Sequence, residues 1–148
     1  MLLAQMDIDY FKSINDTYGH GIGDVALQAF ADVVCANIRE ADVLSRWGGE
    51  EFVLLLSDTD MEGALRTLHR LREAVANTVI PGAPLSLTMT VSIGVAAHIP
   101  GESLEATLER ADQALYCAKR MGRNHVVADE EVCLLHSPRP EVDIGEVS

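Results

Sequence analysis

The amino-acid sequence predicts an α+β fold in which helices pack on one face of a mainly antiparallel sheet. Three observations carry this prediction: helical spacing of apolar residues in three segments, short extended runs between them, and a Gly-Gly pair that joins two of those runs. The core of the predicted order, β-α-β-β-α-β-α-β, resembles the split-βαβ arrangement of ferredoxin-like domains. The 148 residues are enough for one domain around a single core.

The first predicted strand is the opening run LLAQMDI, whose apolar residues suit a buried position. Period-two geometry places Asp7 and Asp9 on one face of this strand and Ile8 on the other. The next stretch, YFKSINDTYGHGIGD, is rich in Gly, Asn and Asp and is therefore predicted to be a loop. A first amphipathic helix is expected over residues 24–38, where apolar residues recur at helical spacing.

A β-hairpin is predicted from DVLSRW and EEFVLLL, two strand-like runs that Gly48 and Gly49 separate. A Gly-Gly pair between strands is a strong hairpin signal because two-residue turns need positive φ. Glu50 and Glu51 follow this turn, and adjacent residues of an extended strand point to opposite faces. Only one of these two glutamates can therefore join a site, and Glu50, next to the turn, is the candidate.

The remaining elements follow in the same way. A second helix is predicted over about residues 61–75, and strict alternation predicts a strand over residues 85–95. A third helix is predicted over about residues 104–120, where basic residues near its end suit the helix dipole and Gly122 ends it. The run NHVVA then predicts a last short strand.

Composition limits the classes of partner. A formal net charge of −12 argues against binding to long nucleic acid, whose phosphates need clustered basic residues. No apolar run approaches the roughly 18 residues of a membrane span, and the start lacks a basic leader, so a cytoplasmic protein is expected. Residues 129–148 hold six acids, two prolines and little periodicity, which predicts an acidic, flexible tail.

Two carboxylates carry the first chemical hypothesis. If the hairpin lies beside the first strand, Asp7 and Glu50 converge and repel each other unless a proton or a cation intervenes. Oxygen ligands of this kind suit Mg²⁺. The alternative is that the Gly-Gly turn is purely structural and that both carboxylates are solvated.

Four segments together resemble one protein family. DIDYFKSINDTYGHGIGD, RWGGEEF, TVSIGVA and ADQALYCAKRMGRN occur in the order and at the spacing of the GGDEF domain family, the diguanylate cyclases, in its Gly-Gly-Glu-Glu-Phe variant. The resemblance extends over about residues 2–128 and implies a fold similar to the nucleotidyl cyclase palm. It implies that two GTP molecules condense to cyclic di-GMP with loss of two pyrophosphates.

The resemblance also implies a metal site and a catalytic residue. Asp7, the backbone carbonyl of Ile8, and Glu50 match the positions that bind Mg²⁺, with Mn²⁺ as a possible substitute. Such a cation offsets phosphate charge and lowers the pKa of the attacking hydroxyl. Glu50 also matches the position of a catalytic base.

Further positions match residues that bind GTP. Asn15 and Asp24 correspond to the family's guanine readers, and a carboxylate can accept hydrogen bonds from the guanine N1–H and exocyclic amine. The alternative is that Asn15 is a turn former and Asp24 an N-terminal helix residue. The other implied substrate-binding residues are His20, Lys12, Lys119 and Arg123, the last three for the β and γ phosphates.

A second site is implied for the product. Arg39 and Asp42 form an R-x-x-D sequence that matches the family's inhibitory site for cyclic di-GMP, and Arg70 is a candidate second arm. On its own this spacing usually means a surface ion pair, and for Arg70 a solvated helix face is the stronger alternative.

Family members carry a further segment before the first strand, so residues 1–128 are interpreted as a GGDEF domain without that segment. One domain offers one nucleotide pocket, and the reaction joins two GTP molecules, so an active form requires a homodimer. The alternative function is a binding module that senses GTP or cyclic di-GMP without turnover. A third possibility is a structural or dimerisation module with a vestigial site.

Overall fold

The computed structural model of the protein describes residues 1–135. Five strands and five helices follow one another over these residues. In chain order they are β1 (Leu2–Ile8), α1 (Phe11–Tyr18), α2 (His20–Ala36), β2 (Val43–Gly48), β3 (Glu51–Leu56), α3 (Met61–Ala76), β4 (Val91–Ala97), α4 (Leu104–Arg120), β5 (Val126–Ala128) and α5 (Asp129–Leu135).

The strands form one sheet in the order β2-β3-β1-β4-β5. Three neighbouring pairs are antiparallel and the β4–β5 pair is parallel, so the predicted α+β class with a mainly antiparallel sheet is confirmed. The register pairs Asp7 with Glu51 on one side and with Ser92 on the other. The end of β1 therefore lies between the start of β3 and the start of β4.

Helices cover both faces of the sheet, whereas one covered face was expected. Alternate residues of β1 and β4, such as Met6 and Ile93, belong to the main core cluster together with residues of α2 and α3. Phe30 of α2 packs against Phe52 of β3 with ring centroids 4.8 Å apart. The opposite face receives α4, whose backbone approaches Gly94 so closely that no side chain fits between them.

The segment predicted as a loop is largely helical, so that prediction is wrong. Helix α1 covers residues 11–18, and α2 begins at His20 instead of residue 24. Phe11 and Ile14 are buried at helical spacing, and this packing outweighs the low helix propensity of the Gly- and Asn-rich stretch. Gly19, with φ of +91°, separates the two helices in a conformation that favours glycine.

Two strand boundaries also differ from the prediction. The strand expected over residues 85–95 begins only at Val91, because its partner β1 ends at Ile8, which pairs with Val91. Leu85 is 85% exposed despite the alternating pattern around it. The predicted hairpin is present, but its turn residues are Gly49 and Glu50, since Gly48 already pairs with Glu51.

The chain continues as a helix where a flexible tail was expected to start. Helix α5 begins at Asp129, whose carboxylate forms an ion pair with Arg110 of α4. Glu131 accepts a hydrogen bond of 2.9 Å from the backbone N–H of Ala128. The rest of the predicted tail, residues 136–148, lies outside the described residues. Within residues 1–135, no helix combines the length and apolar character that crossing a membrane requires.

We expect Gly94→Ala to lower the free energy of unfolding by about 3 kcal/mol, because its Cβ would overlap the backbone of Leu115 and Ala111. Urea denaturation followed by circular dichroism measures this change. The matched control is Gly21→Ala in α2, where a Cβ meets open space and alanine should stabilise the helix by about 0.5 to 1 kcal/mol. Equal stabilities of the two variants would contradict this account of the α4 contact.

Candidate active site

The candidate site lies where β1 ends, beside the hairpin turn and the C-terminal turn of α4. Asp7 is only 7% exposed, and its Oδ2 accepts a hydrogen bond of 2.7 Å from the Nζ of Lys119. Lys119 belongs to the last turn of α4, 112 residues away along the chain. The structure thus brings a predicted metal ligand and a predicted phosphate-binding residue into direct contact.

The two glutamates of the hairpin lie close to Asp7. Glu51 pairs directly with Asp7 across β1 and β3, and the carbonyl oxygen of Glu50 accepts a hydrogen bond of 3.3 Å from the backbone N–H of Ile8. Glu50 is a turn residue, so it does not alternate with Glu51 as two residues of a regular strand would. Its carboxylate is nevertheless near enough to act electrostatically on Asp7.

Burial raises the pKa of Asp7 above its ordinary value of 3.8. The hydrogen bond and the positive charge of Lys119 lower this pKa, while the negative charges of Glu50 and Glu51 raise it again. The net direction is upward, so the one ammonium group does not fully offset the burial of Asp7 together with the two neighbouring negative charges. A site of this kind favours the binding of an additional cation.

The donor set at the end of β1 fits a magnesium ion. The carboxylates of Asp7 and Glu50 and the backbone carbonyl of Ile8 are hard oxygen donors, which Mg²⁺ prefers. Over residues 1–135, no group of three or more His, Cys, Asp or Glu side chains could hold a metal. A magnesium ion held by two carboxylates and one carbonyl would keep several coordination positions for water and phosphate oxygens, as is usual for Mg²⁺.

The residues predicted to read guanine lie on α1 and α2. Asp24 lines a cavity of about 370 Å³ between α2 and the β2–β3 hairpin, with apolar walls that include Leu27 and Phe52. Asn15 does not line this cavity; its side chain lies over Gly23, where a Cβ atom would overlap it. His20 is exposed at the start of α2. Arg46, which had no predicted role, lines the same cavity as Asp24.

The other basic residues predicted to bind phosphate have different surroundings. Lys12 is exposed on α1 and forms an ion pair of 3.7 Å with Asp16. The guanidinium of Arg123 lies over the ring of Tyr10, with its Cζ 4.8 Å from the ring centroid. Arg123 follows α4 in a left-handed conformation with φ of +66°.

The residues predicted to bind product line one groove of about 240 Å³, which contains Arg39, Asp42 and Arg70 as well as Arg66. Asp42 is 8% exposed and accepts hydrogen bonds from the backbone N–H groups of Arg39, at 2.9 Å, and Ser57, at 3.1 Å. It therefore also ties the start of β2 to the end of β3. No sequence pattern pointed to Arg66, whose place in this groove depends on how α3 packs.

The groove and the candidate active site occupy opposite ends of β3. Leu56, at the end of β3, lines the groove, whereas Glu51, at its start, faces Asp7. The two ends of this strand are roughly 17 Å apart at about 3.4 Å per residue. A ligand in one site does not have to contact a ligand in the other.

The chain is similar to proteins whose names state an activity. The family model described as "Diguanylate cyclase, GGDEF domain" matches residues 1–125. The diguanylate cyclase DgcP of Pseudomonas aeruginosa is 48% identical over 128 residues, which are 85% of this chain and 19% of DgcP. The chain thus spans about a fifth of the length of that relative.

Solved structures of GGDEF and GGEEF domains share the fold. The GGDEF domain of DgcB from Caulobacter crescentus, in complex with c-di-GMP, has a TM-score of 0.82 and 38% identity, covering 87% of this chain and 77% of that chain. The active GGEEF domain of a diguanylate cyclase from Vibrio cholerae has a TM-score of 0.79 and 34% identity, covering 86% of this chain and 81% of that chain.

We expect Asp7 to make the free energy of unfolding depend on pH in a direction opposite to that of most paired carboxylates. Because the pKa of Asp7 is higher in the folded protein than its ordinary 3.8, its contribution to stability is present below that value and is lost as pH rises through the raised pKa. The difference between the wild-type protein and Asp7→Asn should therefore fall as pH rises above the ordinary value of 3.8. Urea denaturation without added metal measures it, and a difference that rises with pH would refute the assignment.

Proposed function

Since this chain belongs to the GGDEF domain family, we propose that it is a diguanylate cyclase, which joins two GTP molecules into cyclic di-GMP and releases two pyrophosphates. The observation that carries this proposal is the buried carboxylate of Asp7, held between the glutamates of the hairpin and the ammonium group of Lys119. The carboxylates of Asp7, Glu50 and Glu51 outnumber the ammonium group of Lys119, so additional cationic charge is favoured there, next to a lysine that can bind phosphate.

The site would hold Mg²⁺, or Mn²⁺, through Asp7, the carbonyl oxygen of Ile8, and Glu50. When bound, the metal offsets the charge of the triphosphate and lowers the pKa of the attacking 3′-hydroxyl. Glu50 occupies a turn rather than a rigid strand position, and its carboxylate is the group that accepts the proton of that hydroxyl. Asp7, which is buried, keeps a fixed position at the end of β1.

Basic residues bind the β and γ phosphates. Lys119 and Arg123 lie at the end of α4 and just after it, so both can reach the region above Asp7. A bound triphosphate offers Lys119 an anionic partner in addition to Asp7. Lys12 supplies a third positive charge from α1, where its exposure leaves the side chain able to change partner.

Guanine is selected by the first two helices. Asp24 at the edge of the cavity accepts hydrogen bonds from the base, and Leu27 and Phe52 provide apolar walls. Adenine would leave this carboxylate without matching donors, which makes the site selective for guanine. Asn15 and His20 complete the contacts to the substrate from α1 and the start of α2.

Turnover requires two copies of the domain. Each copy holds one GTP, and the 3′-hydroxyl of each nucleotide attacks the α-phosphate of the other, so the two sites must face each other in a homodimer. A cytoplasmic location, where GTP is available, remains our prediction for this activity.

Cyclic di-GMP binds in the groove lined by Arg39, Asp42 and Arg70 and inhibits the enzyme. Arginine side chains suit this ligand because the guanidinium group pairs with phosphate oxygens and with the Hoogsteen edge of guanine. Arg66 adds a third guanidinium to the groove. The same groove supports the second candidate function, in which the domain binds cyclic di-GMP without synthesising it.

We expect Glu50→Gln to reduce synthesis of cyclic di-GMP by about 100-fold or more, because the amide cannot accept a proton and is a weaker metal ligand. Incubation with GTP and Mg²⁺, followed by chromatography of the products, measures the rate. The control is Glu73→Gln, an exposed glutamate of α3, which should retain full activity. A wild-type protein that binds GTP and forms no cyclic di-GMP would favour the binding module instead.

We expect Arg39→Ala to preserve synthesis and to raise the product concentration for half-maximal inhibition by about tenfold or more, since charge-assisted hydrogen bonds to phosphate are lost. Initial rates measured with added cyclic di-GMP test this effect. His69→Ala, at an exposed position of α3 outside the groove lining, is the control. If Arg39→Ala is inhibited as strongly as the wild-type protein, the groove is not the inhibitory site.

A further inference from the structure

The two residues that follow β1 both contact the turn after α4. Asp9 is 4% exposed and is the first of these residues. Its Oδ2 accepts hydrogen bonds from the Oγ1 of Thr90, at 2.7 Å, and the backbone N–H of Asn124, at 3.0 Å. Its Oδ1 accepts one from the Oγ of Ser92, at 2.6 Å. This carboxylate therefore links β1, β4 and the turn that carries Arg123.

The turn at Arg123 and Asn124 has an unusual backbone. Both residues are left-handed, with φ of +66° and +53°, a conformation that only a few per cent of non-glycine residues adopt. Asn124 is held on two sides, because Asp9 accepts from its N–H and Arg72 donates to its Oδ1 at 3.1 Å. Surrounding contacts of this kind are what maintain such a conformation.

Tyr10 contacts the same turn through its ring. It is 65% exposed, has φ of +55°, and presents its ring to the guanidinium of Arg123 at 4.8 Å. This distance is within the range of a cation–π interaction. The ring is largely exposed and therefore gains little from burial. Its aromatic face is in contact with Arg123.

We propose that Asp9 and Tyr10 are positioning residues that hold Arg123 in place for the terminal phosphates of GTP. Asp9 fixes the backbone of the turn relative to β1, and Tyr10 supports the guanidinium group beside the Asp7 site. This inference rests on the proposed function, in which Arg123 binds the β and γ phosphates. Neither residue contacts the reacting atoms; both act through Arg123.

The expected effect follows from preorganisation. A free arginine side chain loses rotamer entropy when it binds phosphate, and a side chain that is already held loses less. Removing the ring of Tyr10 should therefore weaken binding of a triphosphate by about two- to fivefold, the range that a partly exposed cation–π contact gives. A nucleotide without β and γ phosphates should bind unchanged.

Isothermal titration with 3′-deoxy-GTP and with GMP in the presence of Mg²⁺ tests the role of Tyr10. The first ligand lacks the attacking hydroxyl and so cannot condense. We expect Tyr10→Leu to weaken binding of 3′-deoxy-GTP about two- to fivefold and to leave GMP affinity unchanged. Tyr10→Phe, which keeps the ring, should bind 3′-deoxy-GTP with the affinity of the wild-type protein.

Arg123→Ala serves as the reference in a double-mutant cycle. It should weaken 3′-deoxy-GTP binding, and adding Tyr10→Leu to it should cause no further loss. If Arg123→Ala weakens binding and Tyr10→Leu does not, the positioning role is wrong and the proposed function stands. If Arg123→Ala has no effect, both the phosphate-binding role of Arg123 and this inference are wrong. Equal losses for 3′-deoxy-GTP and GMP in Tyr10→Leu would also overturn the inference.

Asp9→Asn tests the second positioning residue, since it keeps the size of the side chain and removes the charge. It should weaken 3′-deoxy-GTP binding and spare GMP binding. Should Asp9→Asn fail to fold, Thr90→Val and Ser92→Ala carry the test, because each removes one hydrogen bond to the carboxylate. Unchanged affinity for 3′-deoxy-GTP in folded variants would show that Asp9 has a structural role only.

Discussion

The buried carboxylate of Asp7 is the constraint on which the site depends. A charge removed from water is costly unless cations or hydrogen bonds compensate it, and here Lys119 supplies one compensating charge at 2.7 Å. Burial outweighs this compensation, and the negative charges of Glu50 and Glu51 add to its effect, so the pKa of Asp7 stays above its ordinary value. Three separate elements must meet for this balance to exist: the end of β1, the hairpin and the last turn of α4. The register that pairs Asp7 with Glu51 is therefore a condition for the chemistry as well as for the sheet.

The position of Lys119 in turn depends on how closely α4 approaches the sheet. Gly94 lies in the middle of β4, and the absence of a side chain there lets the backbone of α4 pack directly on the strand. Gln5 of β1 donates a hydrogen bond of 3.3 Å to the carbonyl of Leu108, which ties the first half of α4 to the same face. Because α4 is held this close to the sheet, its last turn places Lys119 within hydrogen-bond distance of Asp7. Gly94, a small residue in the sheet, thus affects the charge balance around Asp7 at the C-terminal end of α4.

Much of this arrangement could be predicted from the sequence, and the rest depends on tertiary contacts. The hairpin, the amphipathic helices and the split-βαβ order follow from local periodicity, and the motifs made Asp7, Glu50 and Lys119 individual candidates. The contact between Asp7 and Lys119 joins residues 112 positions apart, so no local pattern encodes it. Helix α1 was mistaken for a loop because burial of Phe11 and Ile14 outweighs a composition typical of loops. Asp9 was placed on the face of Asp7, but its partners on β4 and after α4 become apparent only in three dimensions.

Under the proposed function, the separation of the two proposed sites limits how the product could inhibit synthesis. The arginine groove lies at the end of β3 near Leu56, roughly 17 Å from Glu51, and β3 is hydrogen-bonded on both sides within the sheet. A strand held in this way does not deform easily, and cyclic di-GMP in the groove would not overlap a nucleotide beside Asp7. Under the proposed function, inhibition therefore cannot be simple displacement of GTP from its own site. Under the same proposal synthesis needs two facing domains, so a ligand in a groove remote from both nucleotides could act on how the domains approach each other while each GTP site stays intact.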